Sequence, residues 1–168
     1  MGILFGPSHP SSDTLRITVK GKGGHGAHPY RCVDPVAAVC FLITQLQTVI
    51  SRELSINGGS VLTIGSIHGG TASYVIPEEV RLEGTLRALD AEKRARMLDS
   101  IRRIADSCCK AIRARAEVTV EDGMPPVIND PELAGMVKEA AVRALGAGNV
   151  VDLKNASPGS DDFACYRE

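Results

Sequence analysis

The sequence contains no tryptophan and few other aromatic residues, which make up 4% of its 168 positions. Its hydrophobic content is nevertheless 43%, so the length suffices for one ordinary domain, or one domain and a fragment of another, with a core of Val, Ile, Leu and Ala. Charge of neither sign dominates, because 19 Lys and Arg stand against 20 Asp and Glu. With no basic stripe interleaved with aromatic residues, we expect no nucleic-acid partner.

Long apolar runs are also missing. The longest, residues 36–42, is far shorter than the roughly 20 residues of a membrane helix, and no leader-like segment opens the chain. We therefore expect a soluble, cytoplasmic protein without membrane contact. The five cysteines contain no Cys-x-x-Cys pair of the kind found in zinc and redox motifs. Cys40 and Cys108 fall on apolar helical faces and are predicted to be reduced core residues.

The hydrophobic pattern predicts four strands and two helices in the order strand, helix, strand, strand, helix, strand. Period-two alternation marks strands near residues 14–20, 60–67, 79–87 and 116–120. Asp34-Pro35 and Asp90 are predicted helix starts, and Asn57-Gly58-Gly59 ends the first helix. The predicted apolar faces are Val36, Val39, Cys40, Ile43, Leu46 and Ile50 in the first helix, and Met97, Ile101, Ile104, Cys108 and Ile112 in the second. This order predicts an α+β fold, a ferredoxin-like βαββαβ sandwich with a four-stranded antiparallel sheet and two helices on one face.

Three parts of the chain are distinguished by this pattern. Residues 1–12 show no periodicity and are predicted to be a linker or severed connection, residues 13–122 form the sandwich, and residues 123–168 are an incomplete segment. That last segment begins as a linker at Gly123 and contains a third helix after Asp130-Pro131. The basic face of the second helix, Lys93 and Arg94 included, is predicted to be solvated. In the usual strand order of this fold, residues 60–67 form an unprotected edge strand, which predicts a homodimer with a continuous sheet.

Residues 20–35 form a glycine-rich loop that carries His25 and His28. Four glycines within six positions allow a ligand or another chain to approach the backbone closely. A local zinc site is one interpretation, but a third ligand of suitable type is missing nearby. A phosphate loop is another, but Lys22 is followed by glycine where the Walker pattern requires Ser or Thr. An exposed imidazole that donates to a carbonyl or carboxylate of a ligand is the better use.

Four motifs in order resemble the aminoacylase and carboxypeptidase family of two-zinc metallopeptidases, in particular amidohydrolases similar to hippurate hydrolase and the plant indole-acetyl-amino-acid hydrolases. The motifs are Gly-Lys-Gly-Gly-His-Gly-Ala-His-Pro with Val-Asp-Pro at 21–35, Gly-Gly-Thr-Ala-Ser-Tyr-Val-Ile-Pro at 69–77, Glu-Gly-Thr-Leu-Arg at 83–87 and Gly-Ser-Asp-Asp-Phe at 159–163. The resemblance implies a lid and dimerisation domain followed by the first part of a returning catalytic segment.

The resemblance also implies roles for three residues. The family's lid histidine, which polarises the scissile carbonyl in the partner subunit's active site, falls on His25. A substrate-contacting family Asn falls on Tyr74, whose phenol cannot reproduce an amide, and the family Arg that holds the substrate carboxylate falls on Arg87. Asp161 and Asp162 match an acidic position near the active-site rim, and we assign them no further role.

The full-length parent is expected to hold two zinc or manganese ions and to hydrolyse N-acyl amino acids or short peptides. The family's Cys-Gly-His-Asp segment, paired glutamates and late histidine have no counterpart here. Without a metal to activate water and a carboxylate to carry the proton, we expect this chain to hold no cofactor and to be inactive alone. One alternative is a free-standing dimeric ferredoxin-like module that binds a small carboxylic acid through the loop and Arg87. Another is a truncated product without a function.

Overall fold

The structure is a computed structural model that describes residues 1–55 and 59–167. Its centre is an antiparallel sheet of four long strands, β1 (Ser12–Lys20), β2 (Val61–Gly69), β3 (Glu79–Arg87) and β4 (Arg115–Met124). The strand order is β2-β3-β1-β4. This is the ferredoxin-like order, so the predicted fold class is confirmed and β2 lies at an edge of the sheet.

Three α-helices lie within the described residues: α1 (Pro35–Thr48), which continues as a π-helix over Val49–Glu53, α2 (Ala91–Ala111) and α3 (Pro131–Leu145). Each begins at a predicted aspartate cap. The carboxylate of Asp34 accepts hydrogen bonds from the main-chain N–H groups of residues 36 and 37, and those of Asp90 and Asp130 act in the same way. Asn57 and Gly58, predicted to end the first helix, lie outside the described residues.

The core lies between the sheet and the two helices α1 and α2. Alternate residues of β1 and β3 point into it, as predicted, and Met97 and Ile101 of α2 are fully buried. Helix Pro35–Glu53 is long and apolar enough to cross a membrane by length and composition alone. Its Leu42 and Leu46 are completely buried in the core, however. Packing against the sheet therefore accounts for its apolar composition.

The buried face of α1 is rotated from the predicted one. Val36 is 44% exposed and Cys40 is also exposed, whereas Ala38 and Leu42 are fully buried. The prediction for Val36 and Cys40 was wrong because apolar residues occupy more than one side of this helix, so that spacing alone could not select its core face. In α2, Cys108 is half-buried and its neighbour Cys109 is fully buried.

The chain outside the sandwich is paired at both ends. Strand Gly6–His9 runs antiparallel to Val127–Asn129, and Gly2–Ile3 runs parallel to Val151–Asp152. The predicted linker start at Gly123 was wrong, because β4 continues to Met124 and pairs with the beginning of β1. A Cβ at Gly123 would lie 1.8 Å from the carbonyl oxygen of Ser12. This approach of two strands explains a glycine that resembled a turn residue in the sequence.

Candidate functional site

A short strand pair holds the glycine-rich loop in place. Gly24–His25 runs antiparallel to Val75–Ile76, and the main-chain N–H of Gly26 donates to the carbonyl oxygen of Tyr74 at 2.7 Å. A Cβ at Gly26 would lie only 3.0 Å from that oxygen. The loop therefore uses this glycine to approach the backbone of a segment that is distant in sequence.

The strand pair brings three aromatic rings together. The ring centroid of His25 lies 5.8 Å from that of His28 and 6.4 Å from that of Tyr74. Tyr74 is 66% exposed, and both histidines are exposed as well. We call this group the histidine turn, comprising His25, Gly26, Ala27, His28 and the ring of Tyr74. The family resemblance assigned separate roles to His25 and Tyr74, and their rings lie side by side.

Two hydrogen bonds close the histidine turn on itself. The main-chain N–H of His28 donates to the carbonyl oxygen of His25 at 2.9 Å, and the main-chain N–H of Ala27 donates to His25 Nδ1 at 3.1 Å. Within the described residues, no hydrogen bond reaches His25 Nε2, and the residue is exposed. The Ala27 contact could not be predicted from the sequence, because a main-chain N–H group makes it.

Arg87 lies far from the histidine turn. Its Nη1 donates to the carbonyl oxygen of Pro158 and to Ser160 Oγ, both at 3.3 Å. Glu79 of β3 pairs with Lys20 next to the loop, whereas Arg87 ends the same strand eight residues later. At roughly 3.3 Å per strand residue, the two ends are about 26 Å apart. His25 and Arg87 of one protomer therefore cannot contact the same small molecule.

A cavity of about 610 Å³, within the volume range of small-molecule sites, is lined by Pro158, whose carbonyl oxygen accepts a hydrogen bond from Arg87. Its walls come from the end of the sheet and from both terminal segments, and Lys154, Asn155 and Pro158 line one side. The Oγ of Ser60, another lining residue, is buried without a hydrogen-bond partner among the described residues. The Gly-Ser-Asp-Asp-Phe motif thus meets Arg87 in space. The sequence showed both motifs but not their contact.

The part of the chain that the structure describes contains no group of three or more His, Cys, Asp or Glu side chains placed to hold a metal ion. His25 and His28 are a pair without a third donor, and Asp161 instead accepts a hydrogen bond from the main-chain N–H of Phe163. These residues do not fit a dinuclear metal centre. We therefore derive no chemical step through a metal held by this chain.

The structure defines the class of protein as a ferredoxin-like domain with a long edge strand and an exposed histidine turn. A family model described as the peptidase dimerisation domain of the M20 family matches residues 8–113. The chain belongs to the M20 peptidase family and contains its dimerisation domain.

Relatives and solved structures agree with this assignment. The chain is 37% identical to an N-acetylcysteine deacetylase of Bacillus subtilis over 168 residues, and 36% identical to an N-acetyldiaminopimelate deacetylase of a Geobacillus species over 160 residues. These alignments cover 100% and 95% of this chain but 43% and 41% of the relatives. The chain thus spans less than half of their length.

Among solved structures, a putative aminohydrolase from methicillin-resistant Staphylococcus aureus superposes with a TM-score of 0.87 at 30% identity, over 98% of this chain and 42% of the other. A Bacillus subtilis protein described as a dinuclear metal binding peptidase of the M20 family gives a TM-score of 0.79 at 31% identity, over 99% and 40%. The predicted family and fold are therefore confirmed.

Proposed function

We propose that this chain is the lid and dimerisation part of a metal-dependent amidohydrolase that cleaves the amide bond of N-acyl amino acids or short peptides. The observation that carries this proposal is the match to the peptidase dimerisation domain, together with the similarity to two deacetylases of N-acetylated amino acids. Their names describe the removal of an acetyl group from an amino-acid nitrogen. The substrate class proposed here therefore carries an amide and a free carboxylate.

In this proposal the metal ions are zinc or manganese and are held outside this chain, because its described residues do not fit a metal centre. A metal centre bound there would supply an activated water for attack on the amide carbonyl. This chain contributes binding and polarisation instead. Alone, it is expected to be inactive.

Dimerisation through β2 completes the proposed site. The strand lies at the sheet edge and presents unpaired main-chain groups that a second copy can pair with across a two-fold axis. In one protomer Arg87 and the histidine turn lie near opposite ends of β3, which is about 26 Å long. A substrate held by Arg87 of one subunit therefore needs the imidazole of another subunit.

Three side chains have separate roles in the proposed site. The guanidinium of Arg87 exchanges its two 3.3 Å contacts, to Pro158 and Ser160, for the substrate carboxylate. His25 of the other subunit donates an N–H to the carbonyl oxygen that becomes negative during attack. Tyr74, next to His25, contributes a phenolic hydroxyl at the substrate's edge. The histidine turn thus stabilises charge that develops in the transition state.

A chimera tests this function. Residues 8–127 would replace the corresponding segment of the Bacillus subtilis N-acetylcysteine deacetylase, and hydrolysis of N-acetyl amino acids would be followed. We expect an active chimera whose His25→Ala variant loses about 10²- to 10³-fold in kcat, as happens when one oxyanion donor is removed. Lys110→Ala, at a largely exposed position of α2 away from β2 and from the histidine turn, is the control and should retain activity. Full activity in the His25→Ala chimera would contradict the proposed role.

The cavity beside Arg87 favours one competing function, a free-standing module that binds a small carboxylic acid. Calorimetric titration of the isolated chain with N-acetyl amino acids separates the two. Saturable binding that Arg87→Ala abolishes would favour the module, whereas no binding favours the lid. Elemental analysis after equilibration with zinc is a second measurement. One or two tightly bound zinc ions per chain would contradict both the lid and the binding module.

A further inference from the structure

One hydrogen bond of the histidine turn determines which ring nitrogen of neutral His25 is protonated. A main-chain N–H can only donate, so the contact from Ala27 to His25 Nδ1 at 3.1 Å requires Nδ1 to be the acceptor. A nitrogen that accepts in this way carries no proton. In the neutral ring the proton is therefore on Nε2, at the opposite side of the imidazole.

We propose that the main-chain N–H of Ala27 is a positioning group that fixes His25 in the Nε2–H tautomer. The inference rests on the proposed role of His25 as a hydrogen-bond donor. It identifies the main-chain N–H of Ala27 as the group that keeps a proton on His25 Nε2. In the other tautomer, the proton on Nδ1 would face the N–H of Ala27. The fixed tautomer presents an N–H to a ligand without any prior proton transfer.

The turn is built to keep this contact. The N–H of His28 bonds to the carbonyl oxygen of His25, so the four-residue turn is closed at its ends. The N–H of Gly26 bonds to the carbonyl oxygen of Tyr74, which ties the turn to a second strand. The rings of His28 and Tyr74 flank the imidazole at centroid distances of 5.8 and 6.4 Å. Backbone contacts and ring contacts together limit rotation of the His25 side chain.

The tautomer can be measured directly on this chain. Long-range ¹H–¹⁵N NMR spectra of the ¹⁵N-labelled protein at neutral to mildly alkaline pH distinguish protonated from unprotonated ring nitrogens. We expect His25 to show a fully protonated Nε2 and a fully unprotonated Nδ1. His68 is the internal comparison, because it is exposed and no ring hydrogen bond to it occurs among the described residues, so its nitrogens should give averaged shifts. Averaged shifts for His25, or a proton on Nδ1, would overturn the inference.

Two substitutions at one position test the cause. Ala27→Pro removes the N–H and should give His25 averaged shifts, whereas Ala27→Gly retains the N–H and should keep the single tautomer. Unchanged single-tautomer shifts in Ala27→Pro would overturn the inference. If the proline disrupts the turn, the spectrum of the unmodified chain decides alone.

The NMR measurement and the chimera assay can fail separately. A single tautomer on the isolated chain, combined with full activity of the His25→Ala chimera, would contradict the proposed function and leave the inference standing. Averaged shifts combined with a large loss of activity in that chimera would overturn only the inference.

Discussion

The guanidinium of Arg94 donates from Nε and Nη2 to the two carboxylate oxygens of Asp13, at 2.9 and 3.0 Å. The Asp13 side chain is only 3% exposed, and that of Arg94 is 28% exposed. Arg94 also contacts Asp122 at the end of β4. The hydrogen bond to Asp13 is the largest cause that raises the pKa of Arg94. Arg94 therefore joins the beginning of α2 to β1 through Asp13 and to β4 through Asp122.

Removal of Arg94 should therefore destabilise the fold. Arg94→Ala leaves a buried carboxylate without its partner, which we expect to cost about 2 to 3 kcal/mol of unfolding free energy. Lys110→Ala is the matched control on the same helix, because its ion pair with Asp106 is largely exposed and should contribute at most about 0.5 kcal/mol. Urea unfolding of both variants measures the difference. Equal losses of unfolding free energy in the two variants would show that the ion pair between Arg94 and Asp13 stabilises the fold no more than an exposed ion pair does.

Acid should weaken a contact between α2 and the π-helical segment that continues α1. The Ser100 hydroxyl and then the Arg103 guanidinium hold the pKa of Glu53 below its ordinary value of 4.5, both through hydrogen bonds of 2.6 Å. A carboxyl with a lowered pKa in the folded state contributes stability above its ordinary pKa, and that contribution is lost as the pH falls through the folded-state value. We expect Glu53→Gln to lower the unfolding free energy at pH 7 by about 1 kcal/mol.

The difference between wild type and Glu53→Gln should shrink as the pH is lowered below 4.5, and unfolding curves at several pH values would show this. Glu139→Gln, at a largely exposed position of α3, serves as the control and should show no such trend. A difference that stays constant from pH 7 to pH 3 would mean that Glu53 acts through packing and not through its charge.

The five cysteines should react with thiol reagents in two distinct groups. Cys40 and Cys165 are exposed, whereas Cys32 and Cys109 are buried. Cys108 is half-buried and belongs to the slow group, because burial raises its pKa. Burial, followed by the nearby Cys108 and Asp106, raises the pKa of Cys109 to about 11. At pH 8 roughly one in a thousand of such thiols is the reactive thiolate.

Rapid labelling of the native protein should therefore modify two thiols, and labelling after unfolding should modify all five. Mass spectrometry of the labelled chain counts them. Cys40→Ser should reduce the rapid group by one. Rapid labelling of Cys109 would show that α2 opens away from the sheet far more often than its buried face suggests.

A charge at the free edge of the sheet should weaken dimerisation. Ile67 of β2 is 55% exposed in the protomer, and a lysine at this position would be desolvated when a second copy pairs with the strand. We expect Ile67→Lys to shift the protein towards monomer in sedimentation velocity experiments. Thr119→Lys, at an exposed position on the opposite edge strand β4, should leave the association unchanged. Dissociation by Thr119→Lys alone would place the interface on β4.

The topology could be predicted because each of its signals is local. Each signal depends on only a few neighbouring residues: period-two alternation, aspartate caps and glycine breaks. Together these signals were consistent with only a small number of strand and helix orders. The face of α1 could not be predicted in the same way. Val36 and Cys40 are apolar but exposed, and only the position of the sheet decides which side of that helix is covered.

The contacts that shape the two candidate sites depend on residues that are distant in sequence. Arg94 resembled one more charge on a solvated helical face, because its partner Asp13 lies 81 positions away. Arg87 and Ser160 are separated by 73 positions. The roles of His25, Tyr74 and Arg87 were predicted by resemblance and stay predictions. The hydrogen bond from Ala27 to His25 could not be inferred from side-chain chemistry, because a backbone group makes it.

The pairing of Gly6–His9 with Val127–Asn129 affects how easily this domain can be deleted or exchanged between related proteins. The chain enters and leaves the sandwich through neighbouring antiparallel strands, so the whole sandwich is a cassette with adjacent ends. Deleting it leaves two termini that a short turn can join, and exchanging it for a homologous cassette requires only two closely spaced joints. Transfer of such a dimerisation domain between related proteins therefore requires little rearrangement of the chain, even though it moves more than a hundred residues at once.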